Sequence, residues 1–493
     1  MSHLILEGLN EQQREAVTTV EGPVLVLAGP GSGKTRVLTH RIAYLLDVHR
    51  VFPSHIMAST FTNKAANEMR ERINGMGYPV KGMLIGTFHS LCARILRQES
   101  RYTPYERNFS IYSSSEQRTL MKYVEDELNI SSKTHPPAKI LAQISNAKNN
   151  LIAPADYPEE DYTSKMVRQA YLGYAEELRT NNALDFDDLL MQTVILFRNH
   201  PRILQEYQQH YPYMLVDEFQ DTNLAQYELV RMLAEAQRNI FVVGDPDQSI
   251  YAFRGANYEN ITRFQRDFPE HKIITLDQNY RSHQLILDAA MGVIRKNTGH
   301  VQRDLFSDRK KGPLIEIWEV PTSRDQGLYI TEKIHNLRVE EGYGLRDFTI
   351  MYRTHSQTRH LEAAFRDANI PYQILAGVRF YERKEIKDLL SYLFVIENPN
   401  DTHRLMRILN VPPRGIGDKT QKILLEWIHS QDNRVWDVLY QIKNGNYGPL
   451  GARAGTLIAG FVMMLEDWMK IVAAGGVDIL GLMNQVLDDT EYS

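Results

Sequence analysis

A glycine-rich segment near the amino terminus, AGPGSGKT at residues 28–35, has the residue types and spacing to bind phosphate groups. Its three glycines allow backbone N–H groups to turn toward a polyphosphate, and a following helix adds its positive amino-terminal end. Lys34 is placed to neutralise the β and γ phosphates, and Thr35 to ligate Mg²⁺. We therefore predict a phosphate-binding loop (P-loop), with alanine where the strict pattern has its first glycine. Its residues are Ala28, Gly29, Pro30, Gly31, Ser32, Gly33, Lys34 and Thr35.

Two adjacent carboxylates end an apolar run in YMLVDEFQDTN, residues 213–223. Asp217, at the tip of the predicted strand, is placed to hold Mg²⁺. Glu218 points the other way and is placed to orient and deprotonate an attacking water. Together with the phosphate-binding loop, this pair completes a phosphate cradle, metal ligands and a general base. The combination predicts an ATPase whose cofactors are ATP and Mg²⁺.

A third segment, FVVGDPDQSIYAFRGAN at residues 241–257, joins a predicted strand to a polar loop. Gln248 in this loop is a candidate contact for the γ phosphate, and Tyr251, Phe253 and Arg254 follow it closely. Aromatic side chains among basic ones stack unpaired bases at about 1–3 kcal/mol each and hold phosphates. The segment suits a surface for single-stranded nucleic acid, whereas its aromatic residues taken alone fit core packing better.

The elements that must position these groups read as a parallel α/β fold. Short apolar runs alternate with helical patterns, which is typical of a parallel sheet covered by helices on both faces. A helix is predicted over residues 34–46, and strands are predicted over residues 24–28, 55–60, 83–86, 213–216, 240–243 and 272–276. Residues 113–210 have a long, polar, helical pattern. A second α/β unit is predicted after residue 281, with strands over 315–320 and 372–375, followed by helices to the carboxyl end.

Composition narrows the class of protein. At 493 residues the chain is long enough for about three domains, and its 43% hydrophobic content is ordinary for globular proteins. The single cysteine, Cys92, cannot form an intramolecular disulfide, which suits a reducing cytoplasm. We find no export signal and no apolar stretch of membrane-spanning length, so no membrane association is expected. The net charge of −5 argues against coating of nucleic acid by bulk charge, but it allows a local basic groove.

Taken in order, these motifs resemble those of the UvrD/Rep/PcrA family of superfamily-one DNA helicases, from Leu9 onward. LNEQQREAV resembles the family's adenine-reading motif, which implies Gln13 on the base and Arg36 nearby. LDQNYRS resembles the segment in which Tyr280 would stack on the adenine and Arg281 would reach the γ phosphate.

The resemblance also implies a set of residues that face DNA. They lie in STFTNKAANEMRERI, GTFHSLCARIL and LDFDDL, and in the segment that follows Gln248. Many family members have tryptophan at the position of Phe253. The implied DNA residues are Phe61, Thr62, Asn63, Thr87, His89, Phe186, Tyr251, Phe253 and Arg254. FYERKEIKDLLSYL, residues 380–393, also matches the family. VPPRGIGDKTQKIL, residues 411–424, reads equally as a duplex contact and as a turn before a helix.

The family implies RecA-like motor domains interrupted by helical insertions. We expect a first RecA-like domain over residues 1–112 and 211–281, with a helical insertion over 113–210. The first part of a second RecA-like domain is expected over 282–376, and a second, incomplete insertion over 377–493. The implied function is an ATP-dependent DNA helicase of the bacterial cytoplasm, moving 3′ to 5′ on single strands and acting at single-strand/duplex junctions in DNA repair or replication. Repair or replication proteins are the implied partners.

Two later family motifs, of the types T-x-H-x-x-K-G-L-E and V-A-x-T-R-A, are not found between residues 314 and 493. The second motif would bring an arginine to act with Arg281. We therefore expect the chain to stop inside the second insertion, and to bind ATP and DNA but hydrolyse and unwind poorly. The alternative function is a truncated ATP- and single-strand-binding protein without unwinding activity. Another type of P-loop ATPase is disfavoured because no LSGGQ-like signature is present.

Overall fold

The computed structural model describes residues 5–250, 259–297, 303–309, 311–375, 383–430 and 434–492. These residues form two compact units. The first combines Met1–Gly312 with Ser391–Ser493, and the second is Pro313–Leu390. All strands assigned in the described ranges lie in the first unit.

A parallel sheet forms the centre of the first unit. The strands are β1 (Val24–Ala28), β2 (Ile56–Thr60), β3 (Leu84–Thr87), β4 (Ser110–Ile111), β5 (Ala183–Leu184), β6 (Tyr213–Val216), β7 (Ile240–Gly244) and β8 (Lys272–Leu276). Six of them form one sheet in the order β3-β2-β6-β7-β1-β8, with every pairing parallel. β4 and β5 form a separate short pair. The six predicted strands of this sheet are confirmed, each to within one residue at either end.

Helices make up most of the remaining described chain. Those before residue 212 are α1 (Glu11–Thr18), α2 (Lys34–Asp47), α3 (Asn63–Gly75), α4 (Phe88–Gln98), α5 (Ser114–Glu127), α6 (Pro137–Asn149), α7 (Tyr162–Thr180), α8 (Phe186–Asn199) and α9 (Pro201–His210). Those after it are α10 (Leu224–Ala234), α11 (Glu259–Asp267), α12 (Gln284–Ile294), α13 (Ser323–Glu341), α14 (Thr358–Asp367), α15 (Lys384–Glu397), α16 (Thr402–Ile408), α17 (Asp418–Ser430), α18 (Val435–Lys443), α19 (Ala452–Ala473) and α20 (Ile479–Thr490). Among the helices in the described ranges, none has the length and hydropathy needed to cross a membrane.

Two hydrophobic cores lie on opposite faces of the large sheet. Met214 and Val216 of β6 pack in one core with side chains of α4, α8 and α10. Leu215 lies between them in sequence and packs in the other core with side chains of α1, α2 and α3. This alternation follows from the geometry of a strand, in which successive side chains point to opposite faces. The prediction that helices cover both faces is therefore confirmed.

The segment predicted to be a helical insertion is helical from α5 to α9. Helix α5 begins with a capping box, in which the Glu116 carboxylate accepts from the Ser113 backbone N–H at 2.7 Å. Helices α5, α6 and α7 share a core of their own, which includes Val167. The buried guanidinium of Arg404 pairs with Glu116 at 2.7 Å and with Asp401 at 3.2 Å. These ion pairs tie the insertion to the region around α16.

The second unit is helical in its described part, with α13 and α14 packed together at Gly327 and Ala364. The strands predicted over residues 315–320 and 372–375 are wrong, since neither segment pairs with another described strand. Ile317 is 94% exposed and Leu375 is 73% exposed. A strand requires a hydrogen-bonded neighbour, which an apolar run in the sequence does not supply by itself.

Candidate nucleotide and DNA site

Most of the predicted site residues share one position in the fold, because they follow the carboxyl ends of strands in the large sheet. The phosphate-binding loop follows β1, residues 61–63 follow β2, Thr87 ends β3, Asp217 follows β6, Gln248 follows β7 and Tyr280 follows β8. In a parallel sheet these ends meet at one edge, where ligands of α/β proteins bind. The strand order places the DNA candidates on β3 and β2 at one side, and most of the nucleotide candidates on β7, β1 and β8 at the other. β6 lies between them.

The phosphate-binding loop turns tightly between β1 and α2. Gly31 and Gly33 have φ angles of +66° and +92°, a region that residues with side chains rarely adopt. The Ser32 hydroxyl donates to the Gly29 carbonyl at 2.7 Å and closes the turn. Lys34 is the first residue of α2, so the helix amino terminus faces the loop. The geometry suits a bound polyphosphate.

Helix α1 ties Gln13 to the loop. Asn10 caps this helix, and its Oδ1 accepts from the Gln13 backbone N–H at 2.8 Å. The buried Gln13 side chain then donates from Nε2 to the Ser32 carbonyl at 2.8 Å. Arg36 lies on α2. Its guanidinium group is close to Gly8, since a Cβ added to that glycine would lie 2.9 Å from Arg36 Nη2. The structure therefore brings the two residues predicted for the adenine end beside the phosphate-binding loop.

Asn279 joins the segment after β8 to the same loop. Its Nδ2 donates to the Pro30 carbonyl, and its Oδ1 accepts from the Arg281 backbone N–H at 2.8 Å. The Tyr280 backbone N–H donates to the Gly31 carbonyl at 2.9 Å. The Tyr280 ring is 43% exposed, which leaves surface for stacking on a ligand. Tyr280 and Arg281 were predicted as site residues from the sequence, but Asn279, in the same QNYRS segment, was not.

The two carboxylates after β6 have different partners. Glu218 Oε2 lies 3.0 Å from Lys34 Nζ, and Glu218 has a φ of +50°, a strained conformation for a residue with a side chain. Asp217 is buried, and its Oδ1 accepts from the Glu218 backbone N–H at 3.0 Å. Its own backbone N–H donates to the Ser59 carbonyl on β2 at 2.9 Å. Burial and the neighbouring charge of Glu218 raise the pKa of Asp217 to about 7.

Gln220 and Arg303 belong to the site but were missed by the sequence analysis. Gln220 Nε2 donates to Glu218 Oε2 at 2.9 Å, and its Oε1 accepts from the Asp245 backbone N–H at 2.9 Å. The Asp245 carboxylate accepts from Gln248 Nε2 at 2.6 Å and pairs with the buried Arg303 at 2.5 Å. This chain of contacts links the end of β6 to the end of β7. Arg303 lies in a polar, basic loop, so its burial has no signal in the sequence.

The DNA candidates after β2 and β3 lie at helix starts. The Thr62 hydroxyl accepts at 3.1 Å from a backbone N–H in the first turn of α3. The Thr87 hydroxyl does the same for α4 at 3.3 Å. Phe61 is half-buried beside the exposed Thr62 and Asn63. These short polar segments present backbone N–H groups and side chains at the edge of the sheet.

His89 and Phe186 are distant in sequence but form an aromatic pair, with ring centres 5.7 Å apart and planes at 73°. Burial lowers the pKa of His89, so its ring is uncharged at neutral pH. Phe186 is the first residue of α8 and is 49% exposed. The structure thus brings two predicted DNA residues together and leaves an aromatic surface open.

A buried ion cluster lies at the start of α8, next to Phe186. Lys148 Nζ lies 2.7 Å from Asp185 and 2.8 Å from Asp188. Burial opposes the charged form of Lys148, but these two carboxylates raise its pKa well above the usual value. Burial and the Asp185 charge raise the pKa of Asp188 above its usual value. Since Asp185 caps α8, the cluster fixes the residue that precedes Phe186. Lys148 was not predicted from the sequence, because it lies on another helix, α6, far from Phe186 along the chain.

Three candidates, Tyr251, Phe253 and Arg254, lie outside the described residues, as do the first three residues of the 380–393 segment. Their assignments stay predictions. In the 411–424 segment, Gly415 has a φ of +78°, and the Asn410 side chain accepts from the Ile416 backbone N–H at 3.1 Å. These contacts fix the turn before α17, and its contact with duplex DNA stays a prediction.

The donors near the loop suit a metal ion that arrives with a nucleotide. Mg²⁺ is usually held by one or two carboxylates together with substrate phosphates and water. Asp217 supplies such a carboxylate. Thr35, in the first turn of α2, adds a hydroxyl oxygen. Among the residues whose positions are described, no group of three or more His, Cys, Asp and Glu side chains could hold a metal ion.

The parallel sheet, the glycine loop between β1 and α2, and the acidic pair after β6 define a RecA-like P-loop fold, the class predicted from the sequence. The chain belongs to the UvrD/REP helicase family. The UvrD/REP helicase N-terminal domain matches residues 9–269. The UvrD-like helicase C-terminal domain matches residues 274–446. The predicted family is confirmed.

Relatives with the name ATP-dependent DNA helicase PcrA are similar along most of the chain. The protein from Staphylococcus aureus (strain Mu50) is 46% identical over 438 residues, which are 88% of this chain and 60% of the relative. The protein from Staphylococcus epidermidis is 46% identical over 491 residues, which are 99% of this chain and 66% of the relative. The chain therefore spans less than two thirds of the length of these relatives.

Proposed function

We propose that the protein is an ATP-dependent DNA helicase that moves 3′ to 5′ on single-stranded DNA and unwinds duplexes. The observation that carries this proposal is the position of β6. Its neighbours in the sheet are β2, which leads to the DNA candidates, and β7, which lies beside the strand of the phosphate-binding loop. Asp217 and Glu218 therefore stand between the nucleotide side and the DNA side of one sheet edge. The similarity to proteins named ATP-dependent DNA helicase PcrA supports the same function.

ATP and Mg²⁺ are the proposed cofactors. Gln13 and Tyr280, with Arg36 nearby, hold the adenine end, while Lys34 and the loop N–H groups hold the phosphates. Thr35 and Asp217 hold Mg²⁺, which supplies positive charge against the charge that develops on the transferred phosphoryl group. The raised pKa of Asp217 fits this role, because a cation stabilises the ionised form that burial disfavours.

Glu218 is the proposed general base, and its pair with Lys34 regulates when it acts. A γ phosphate at Lys34 competes with the Glu218 carboxylate for the same cation. Once released from Lys34, Glu218 can orient and deprotonate the attacking water. Gln220 donates to the same carboxylate oxygen at 2.9 Å, so the base remains positioned when the ion pair opens. Arg281 and Gln248 stabilise charge on the γ phosphate from the ends of β8 and β7.

The sheet itself provides a path from the nucleotide site to the DNA candidates. The Asp217 backbone N–H donates to the Ser59 carbonyl at 2.9 Å, and Ser59 lies two residues before Phe61. A change at the γ phosphate that moves the end of β6 therefore acts on β2 through a direct hydrogen bond. We propose that this link alters the grip of the segments at Phe61 and Thr87 on a single strand.

Unwinding of duplexes with one single-stranded tail tests the proposal. Duplexes with a 3′ tail and with a 5′ tail are incubated with the protein and Mg²⁺, with and without ATP, and strand separation is measured by loss of energy transfer. We expect ATP-dependent separation of the 3′-tailed duplex, lost in Glu218→Gln. Separation that needs no ATP, or that survives in Glu218→Gln, would contradict the proposal. Binding of both ligands without separation would indicate the alternative, an ATP- and DNA-binding protein that does not unwind.

The proposed substrates are single-stranded DNA and single-strand/duplex junctions. The proposed compartment is the cytoplasm, where a bacterial helicase meets its DNA. Proteins of DNA repair or replication are the proposed partners, because enzymes that separate strands act in those processes.

A further inference from the structure

A basic groove lies alongside α4, and none of its residues has a role in the ATP or DNA assignments above. Its volume is about 860 Å³. Four arginines line it, Arg94, Arg97, Arg101 and Arg107, and all four are exposed. The remaining lining combines serine and glutamine side chains with the apolar Ala93 and Ile111.

The sequence of α4 explains why the groove is basic. Leu91, Cys92 and Ile95 face the hydrophobic core beneath the sheet. Arg94 and Arg97 lie three residues apart on the helix, so they share the face that points away from that core. The chain then turns, and Arg101 and Arg107 enter the same groove from the loop before β4.

The charge of this groove has no partner among the described carboxylates. No described Asp or Glu lies within ion-pair distance of any of the four guanidinium groups. The two acidic residues that are close in sequence are occupied, since Glu99 accepts from the Tyr207 hydroxyl at 3.2 Å and Glu106 pairs with Arg434 at 2.5 Å. Arg97 lies over the buried Phe109 ring, 5.0 Å from its centre, which holds its position. In a chain of net charge −5, this is a concentrated positive site.

We propose that the groove binds the sugar–phosphate backbone of single-stranded nucleic acid, as an extension of the DNA path at Thr87. The proposal rests on the proposed function, because it continues a strand that the helicase would hold. Helix α4 begins directly after Thr87, and at 1.5 Å per residue Arg97 lies about 15 Å further along. This distance is the span of a few nucleotides. Guanidinium groups bind phosphate in a bidentate manner, and the apolar floor at Ala93 and Ile111 suits sugar rings.

The extension predicts that affinity depends on oligonucleotide length in a specific way. Fluorescence anisotropy is measured with oligothymidylates of about 8 and about 20 nucleotides, at several salt concentrations. The test variant is Arg101→Gln/Arg107→Gln, in which two exposed charges are lost and the Arg97 contact with Phe109 remains. We expect about fivefold weaker binding of the long oligonucleotide. The slope of the logarithm of the binding constant against the logarithm of the salt concentration should become smaller in magnitude by about 1.4, because two phosphate contacts are lost. Binding of the short oligonucleotide and the melting temperature should not change.

A matched control is Arg118→Gln/Arg453→Gln, which removes two exposed arginines that do not line the groove. We expect this control to bind both oligonucleotides as the wild type does. Equal weakening of short and long oligonucleotides in the test variant, or no weakening at all, would overturn the proposal. Polyglutamate can also be tested as a competitor. If it displaces the labelled oligonucleotide as well as the unlabelled long oligonucleotide does at equal total charge, the proposal is overturned and an acidic protein partner is indicated. Failure of the proposed function would look different. Without DNA binding, the wild type would bind no oligonucleotide of either length, and a protein that binds DNA without unwinding it would fail the strand-separation assay while its oligonucleotide binding still depended on the groove.

Discussion

Lys34 and Glu218 form an ion pair across the sheet edge, with Nζ and Oε2 3.0 Å apart. The cation that is placed to meet the γ phosphate is therefore held by the carboxylate that is placed to activate water. We propose that a phosphate bound at Lys34 releases Glu218, so that nucleotide binding also activates the base. Gln220, which holds the same Glu218 oxygen, limits how far the released carboxylate can move.

The Lys34–Glu218 ion pair predicts that loss of the Glu218 charge lowers ATP turnover without weakening ATP binding. We expect Glu218→Gln to lower ATP turnover by about 10²–10⁴-fold, the usual contribution of a general base. ATP binding should stay as tight as in the wild type or become tighter, because Lys34 loses a competing charge. Lys34→Ala should weaken binding itself. Titration with a fluorescent ATP analogue and a phosphate-release assay separate the two effects, and near-normal turnover in Glu218→Gln would remove it as the base.

Gly31 provides a test of the loop geometry. A Cβ at this position would lie 2.7 Å from the Arg281 Cβ and from the Asn279 Nδ2. We expect Gly31→Ala to weaken ATP binding by at least about tenfold, or about 1.4 kcal/mol, since Arg281 and Asn279 must shift to make room. Gly22 is the matched control, because its φ of +77° imposes similar backbone strain while a Cβ there would meet nothing within 4 Å. If Gly22→Ala weakens ATP binding equally, backbone strain rather than the contact with Arg281 is responsible.

The raised pKa of Asp217 predicts a pH-dependent stability. With a pKa of about 7 when folded and 3.8 as the ordinary value, the folded protein binds more protons between these limits. The contribution of Asp217 to the free energy of unfolding is therefore lost as pH rises through 7. We expect the stability of the wild type relative to Asp217→Asn to fall by about 2 kcal/mol between pH 5.5 and pH 8.

Urea unfolding of both proteins at the two pH values measures this difference, and titration effects elsewhere cancel in the comparison. A relative stability that is the same at both pH values would show that Asp217 titrates normally. Mg²⁺ with ATP should stabilise the wild type more at pH 8 than at pH 5.5, because only the ionised carboxylate binds the cation. Asp217→Asn should lose this added stabilisation.

The buried cluster at Lys148 predicts a link between the helical insertion and DNA binding. Lys148→Met leaves Asp185 and Asp188 buried without their cation, which we expect to destabilise the fold by about 3–5 kcal/mol. Because Asp185 caps α8, binding of single-stranded DNA should weaken as Phe186 loses its position. Phe186→Ala is the comparison, with weaker DNA binding at nearly unchanged stability. Stable Lys148→Met protein with normal DNA binding would contradict the link.

Much of the site follows from local sequence, because its segments lie directly after strands. The runs that became β1 and β6 are apolar and short, so the positions of Lys34 and Asp217 at the sheet edge could be predicted. Asn279 and Lys148 act through partners far away in sequence, and a pattern in one segment does not reveal such contacts. The run at 315–320 shows the reverse limit, since its short apolar pattern predicts a strand but no described strand pairs with it.

The most direct test of the central claim is ATP turnover measured with and without single-stranded DNA, in the wild type and in Glu218→Gln. The ratio of the two rates is informative whatever the absolute rate. We predict that single-stranded DNA raises turnover severalfold in the wild type and has no effect in Glu218→Gln. Two results would contradict the proposal that residues after β6 couple ATP hydrolysis to DNA binding. One is turnover that single-stranded DNA leaves unchanged, and the other is turnover that persists in Glu218→Gln.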